Sequence, residues 1–198
     1  MSTPTTRLGL VTGVCVLTLA PVALALDIRG TEDADRIIGS RGDDTIAALA
    51  GDDKVRALGG NDRVRAGEGN DGVAAHRGDD VVTGGPGDDR IRGGNGQDTL
   101  KAREGADVMA GGHGRDLLTA TADGDVEVEG VDTLVGGPEN DELRARDGEA
   151  DLIDCGADKD TAVLDLVDMI VDATKENPNG SCEIVVRADV PPDPPVEP

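Results

Sequence analysis

One aliphatic residue or methionine returns every nine positions through the middle of the chain: Ile37, Ile46, Val55, Val64, Val73, Val82, Ile91, Leu100, Met109 and Leu118. Two positions before each stands an aspartate: Asp35, Asp44, Asp53, Asp62, Asp71, Asp80, Asp89, Asp98, Asp107 and Asp116. The two rows divide Gly30–Thr119 into ten contiguous nonapeptides, with Asp at the sixth place and the apolar residue at the eighth. The fourth place is Gly in nine of the ten, Asp33 being the exception. A Gly-rich hexad reaches positive φ and turns the chain tightly. The three residues after it predict a short extended arm, on which alternation sends the eighth residue inward and the seventh and ninth outward. The basic residues obey that rule, since Arg36, Lys54, Arg56, Arg63, Arg65, Arg90, Arg92 and Lys101 all occupy seventh or ninth places. One inward aliphatic per nine residues cannot make a globular core. It can make a solenoid in which successive turns stack their arms.

The register resembles the RTX, or haemolysin-type, calcium-binding repeat G-G-x-G-x-D-x-U-x, where U is a large aliphatic. Gly84–Arg92, Gly93–Lys101 and Gly111–Thr119 match it in full, as GGPGDDRIR, GGNGQDTLK and GGHGRDLLT. The resemblance implies an all-β fold, a parallel β-roll of about ten regular repeats in which consecutive nonapeptides occupy opposite sides. It also implies up to about eight calcium ions between the hexads of repeats two apart. Their ligands are the ten sixth-place carboxylates and backbone carbonyls, best supplied by Gly84, Gly85, Gly87, Gly93, Gly94, Gly96, Gly111, Gly112 and Gly114. Such an all-oxygen set suits a hard cation. Leu49, Leu58, His76 and Arg103 depart from the second Gly, and five repeats open with Ala. The slot between Gly93–Asp98 and Gly111–Asp116, fully Gly-patterned on both sides, is expected to bind tightest.

The flanks set the domain limits. Residues 1–25 read as a secretory signal peptide, with Arg7 in the n-region, an apolar run from Leu8 to Ala20 and Ala23-Leu24-Ala25 at the cleavage site. A retained anchor is the alternative, although the run is short for a span. Cleavage starts the mature chain at Leu26 and leaves no membrane insertion. Residues 26–119 form the regular roll, 120–187 degenerate repeats and a cap, and 188–198 a Pro-rich disordered tail. In the cap, Ala120–Val128 keeps Asp125 at the sixth place and a two-residue deletion then brings Asp132. Gly136–Arg144 offers Asp141 and Leu143, Arg146–Asp154 offers Asp151 and Ile153, and Cys155–Val163 offers Asp160 and Ala162. The stretch from Asp151 to Gly156 resembles the C-terminal ends of secreted bacterial calcium-binding repeat proteins. Thr161–Lys175 fits a short helix or two strands. Asn177–Gly180 reads as a turn and Cys182–Arg187 as a last strand. Without the leader two cysteines remain, Cys155 and Cys182, and an even pair in an exported chain points to a disulfide.

Charge narrows the function. The chain carries 41 acidic against 19 basic residues, a net charge of −22. It should repel nucleic acid and anionic membranes and attract cations. It has no Phe, Trp or Tyr, hence no aromatic platform for bases, sugars or a flat cofactor. So much charge with few large apolar residues reads as disorder unless a ligand folds the repeats. Catalytic signatures are missing: His76 and His113 stand at second and third places without a His-Glu-x-x-His, and no G-x-S-x-G occurs. Paired carboxylates such as Asp43-Asp44 and Asp88-Asp89 recur too often to be one acid/base dyad. The expectation is a secreted, non-enzymatic protein folded by calcium. The alternative is an extracellular adhesin or matrix module that uses the rigid roll to present its Arg/Lys positions to a protein or polysaccharide. An ice-binding solenoid would need aligned Thr rows, whereas Thr45, Thr83, Thr99 and Thr119 are scattered over two places and both sides.

Overall fold

The structure is a computed structural model that describes residues 6–7, 24–120, 130–171 and 181–187. β1 (Thr6–Arg7) and β2 (Leu26–Arg29) precede the repeats. The regular nonapeptides supply β3 (Arg36–Ile38), β4 (Thr45–Ala50), β5 (Lys54–Arg56), β6 (Arg63–Glu68) and β7 (Gly72–Arg77). They continue with β8 (Val81–Thr83), β9 (Arg90–Asn95), β10 (Thr99–Lys101), β11 (Val108–His113) and β12 (Leu117–Thr119). The cap adds β13 (Thr133–Gly137), β14 (Glu142–Ala145), β15 (Leu152–Gly156), β16 (Thr161–Leu164), β17 (Met169–Ile170) and β18 (Ile184–Arg187).

From β2 onward the strands fall alternately into two sheets. β1 and the even-numbered strands make a ten-stranded sheet, and the odd-numbered strands from β3 make an eight-stranded one. All pairings are parallel, and from β4 onward each strand lies on the one two before it, so the chain winds as a β-solenoid of about eight turns. Register follows from the nine-residue period. Ile46, Val64, Val82, Leu100, Leu118 and Leu143 form one column. Ile37, Val55, Val73, Ile91, Met109, Leu134 and Ile153 form the other. These columns are the core. The described residues contain no helix, and among them none is long and apolar enough to cross a membrane.

The inward face is wider than the eighth place alone. Alternation carries on through the sixth, the eighth and the first place of the next repeat. Ala48, Ala57, Ala66, Ala75 and Ala102 are accordingly fully buried. The five alanines that open repeats are thus a third core column and not defects. The residue there must be small, since a Cβ at Gly30 or Gly39 already meets a backbone carbonyl of the next coil.

The cap corrects one sequence expectation. β13 pairs directly with β11, and β14 with β12, so the described coils before and after residues 121–129 stack on each other. Asp107 and Asp132 are 25 residues apart where regular partners are 18 apart. The connection is therefore seven residues longer than the regular period, and Asp125 lies outside the described residues. Of Thr161–Lys175, the described residues 161–171 form two strands, β16 and β17. Cys155 and Cys182 are joined in a disulfide, with Cys155 at a first place of the repeat. The Asn177–Gly180 turn, the tail 188–198 and most of the leader lie outside the described residues.

Candidate metal centre

The sixth-place aspartates are all buried and stack in two rows, one above each sheet's turns. In the first row, the backbone N–H of Asp44 donates to Asp62 Oδ1 at 2.7 Å, Asp62 to Asp80 at 2.7 Å, Asp80 to Asp98 at 2.9 Å and Asp98 to Asp116 at 2.8 Å. The second row repeats this from Asp35 through Asp53, Asp71 and Asp89 to Asp107. Both continue into the cap, through Asp132 and Asp151 on one side and Asp141 and Asp160 on the other. One oxygen of each carboxylate is thus spent on the preceding coil.

The other oxygen decides what the site can hold. Oδ2 of Asp53, Asp62, Asp71, Asp80, Asp89, Asp98, Asp107, Asp116, Asp141, Asp151 and Asp160 is buried with no hydrogen-bond partner. A buried anionic oxygen without a donor is costly, and a row of them asks for cations. Burial accordingly raises these carboxyls, backbone hydrogen bonds lower them in part, and the neighbouring aspartates raise them again. Asp53 and Asp80 are pushed up to about 6. Asp62, Asp89, Asp98 and Asp107 are pushed up to about 7. Asp71 and Asp116 shift in the same direction, chiefly through burial.

The first two aspartates are different. Asp35 Oδ2 accepts from the Thr31 N–H and hydroxyl, at 2.6 and 3.0 Å. Asp44 is held by the Ser40 N–H at 2.6 Å, by the Ser40 hydroxyl at 2.9 Å and by the Leu26 N–H at 2.7 Å. Thr31 and Ser40 are second-place residues. A hydroxyl there, in the first two repeats alone, was the signal that sequence reading passed over.

The glycines take up the turn geometry. Gly85, Gly87, Gly94, Gly96, Gly112 and Gly114 all have positive φ. At Gly84, Gly93 and Gly111 a Cβ would run into Oδ2 of the same repeat's aspartate. The departures keep that conformation at a cost: Leu49, Leu58, His76 and Arg103 sit at φ of 95°, 86°, 85° and 140°. From the third repeat to the tenth the second place therefore keeps positive φ whatever residue fills it, while Thr31 and Ser40 in the first two repeats do not share it.

Two further features were missed. A second ladder runs along the exposed fifth places in the opposite sense: Asn61 N–H donates to Asp43 Oδ1 at 2.8 Å, Asp79 to Asn61 at 2.9 Å and Gln97 to Asp79 at 2.8 Å. Its mark in the sequence is Asp or Asn at every fifth place from Asp43 to Asp88. In the cap, Asp147 brings a third carboxylate to the slot between Asp132 and Asp151, the three offering oxygens within 4.8 Å of one another. Burial pushes Asp132 and Asp151 up to about 8, with nearby carboxylates, Asp147 among them, adding to it, and burial also raises Asp147, helped by Asp165. Rows of buried carboxylate oxygens, with backbone carbonyls packed against the next coil's glycines, make an all-oxygen set of the kind a hard divalent cation takes.

Seven windows, six of them overlapping between residues 29 and 126 and the seventh at 128–162, match the RTX calcium-binding nonapeptide repeat. No individual curated protein matches the chain significantly.

Proposed function

The chain belongs to the RTX calcium-binding nonapeptide-repeat family, and from that membership we propose that it is an extracellular, non-enzymatic protein whose roll is folded by calcium. The observation that carries this reading is the row of buried, half-partnered carboxylates. Each Oδ2, aided by carbonyls of the hexads that include Gly84, Gly85, Gly87, Gly93, Gly94, Gly96, Gly111, Gly112 and Gly114, would ligate an ion between coils two repeats apart. Asp53 to Asp116 supply the inner slots. Asp35 and Asp44, whose second oxygens already have donors, close the stack and rank last. Asp132, Asp147 and Asp151 give a slot with three carboxylates, which displaces the slot between Asp98 and Asp116 as the first to fill.

Calcium acts here by neutralising charge that the apo fold cannot solvate. Ordering a coil costs about 1–2 kcal/mol of backbone entropy per residue, and the single large aliphatic of a repeat returns about 1.5–3 kcal/mol. The remainder must come from coil-to-coil hydrogen bonds and from the ions. In this reading residues 26–119 are the roll proper and 120–187 its cap, exported behind a leader cleaved after Ala25. Calcium-titrated far-UV circular dichroism tests the proposal: β signal should appear cooperatively with calcium, and magnesium, which demands octahedral geometry, should substitute poorly. Equal order in chelator and in calcium would sink it.

A further inference from the structure

We propose that the outward face of the eight-stranded sheet carries a binding cleft for a linear acidic polysaccharide, centred on β7. The register sets two outward columns on that face. Seventh places align Arg36, Lys54, Gly72 and Arg90, and ninth places align Ile38, Arg56, Ala74 and Arg92. At β7 both outward residues are small, so a cleft of about 280 Å³ opens with five cations around it. Its floor is apolar, formed by Gly72, Ala74 and Ile38. The ion pairs seen among the described residues are His113 with Glu139 and Arg144 with Glu142, so none of the five cations has an acidic partner there. On a chain of net charge −22 such a cluster is a local reversal of sign.

The chemistry of the cleft selects its occupant. Arg56 and Arg92 flank Ala74 from the two neighbouring rungs, about 10 Å apart at the strand spacing of a sheet. Guanidinium forks take a carboxylate or sulfate bidentately. A sugar ring lying along the roll would set its C–H face on Ala74 and Gly72 and its acidic groups between the arginines. It needs no aromatic platform, which this chain lacks. Nucleic acid would find no Phe, Trp or Tyr on which to stack bases, and it would meet repulsion from the rest of the molecule. The turn-edge row Asp52, Asn70 and Asp88 borders Lys54 and Arg90, so the ligand's charges belong nearer Arg56 and Arg92.

The cleft rests on the reading of the roll as a rigid scaffold, and the test separates the two. Polyuronate, sulfated glycan and neutral glycan oligomers of matched length are titrated against the protein in saturating calcium. Single-stranded DNA and phosphatidylglycerol vesicles are run beside them, and far-UV circular dichroism is recorded on the same samples. At least one acidic oligomer should bind and the neutral one should not. The two acidic arms tell carboxylate from sulfate. Arg56→Gln with Arg92→Gln should weaken binding about tenfold, or about 1.4 kcal/mol, with unchanged circular dichroism. Ala74→Ile, which fills the cleft and removes no charge, should weaken it similarly. Equal binding by wild type and both variants would mean that calcium bridges the glycan to the acidic turns, and would overturn the cleft. DNA or vesicles binding as tightly would overturn it as well, and so would failure of both acidic glycans. A chain that binds in this way yet is folded in chelator would refute calcium-driven folding and leave the cleft standing.

Discussion

Single residues set the energy of each turn, and the positions that matter most are those where the repeat departs from Gly. Leu58 holds φ at 86° with its side chain 37% exposed. A left-handed conformation costs a residue with a Cβ about 1–2 kcal/mol, while glycine loosens the unfolded chain by about 0.4–1 kcal/mol. Leu58→Gly should therefore stabilise the calcium-loaded protein by about 0.5–1 kcal/mol, read as a raised denaturant midpoint. The aspartates differ in the same individual way. Asp98→Asn keeps an acceptor for the Asp80 N–H and removes the charge, so it should raise the calcium midpoint, with no loss of the ladder. Asp44→Asn, whose carboxylate is already held by Ser40 and Leu26, should move it little. Asp147→Asn should weaken the first binding event seen by calorimetry, and equal effects from all three would contradict the ranking of slots. At this scale the sequence made the sixth and eighth places plain. It hid the first place, because Ala and Gly look like alternatives there until a carbonyl and a carboxylate are seen to crowd the Cβ.

Elements differ in how well periodicity describes them. Between Gly30 and Thr119 the period alone locates each strand by its inward aliphatic, but β4, β6, β7, β9 and β11 run six residues, past the expected three-residue arm and into the next hexad. After Thr119 that logic fails, because a connection seven residues longer than the period leaves the coils on either side in direct contact and only the pairing of β11 with β13 reveals it. The cap closes through unlike contacts. The disulfide links β15 to the segment before β18, the Cys155 N–H donates to the Ser181 hydroxyl at 3.0 Å, and the Arg187 guanidinium donates to the Asp168 carbonyl at 3.1 Å. Its two cysteines are 27 residues apart, for which chain entropy suggests a contribution of about 3–4 kcal/mol. Reduction in calcium should increase hydrogen exchange from about Asp132 onward and leave β4 to β11 protected. Uniform loss of protection would show that the cap folds the whole roll.

For the molecule as a whole, the raised carboxyls predict an inverted acid response. Folded values of about 6 for Asp53 and about 8 for Asp132 exceed the ordinary 3.8, so the apo fold binds protons more tightly than the unfolded chain does. That contribution is fully present below about pH 4 and is lost as pH rises through 6 to 8. In chelator, far-UV circular dichroism should therefore gain β signal on acidification from pH 8 to pH 4. With calcium the sign reverses, because protons compete for the ligands and the calcium midpoint should rise as pH falls. The aspartate ladder also has a direction. Each N–H is satisfied only by the coil that follows, and at the far end Asp168 and Glu183 take over as acceptors for Asp151 and Asp160, at 3.2 and 2.8 Å. At the opposite end the chain offers carboxylates, which Thr31, Ser40 and the Leu26 N–H serve locally. Tandem duplication or loss of an eighteen-residue unit between Gly30 and Thr119 would thus recreate the same joint each time, whereas the final coils have no interchangeable copy. Descendants of such a gene are free to vary in length from the front and must inherit the back intact.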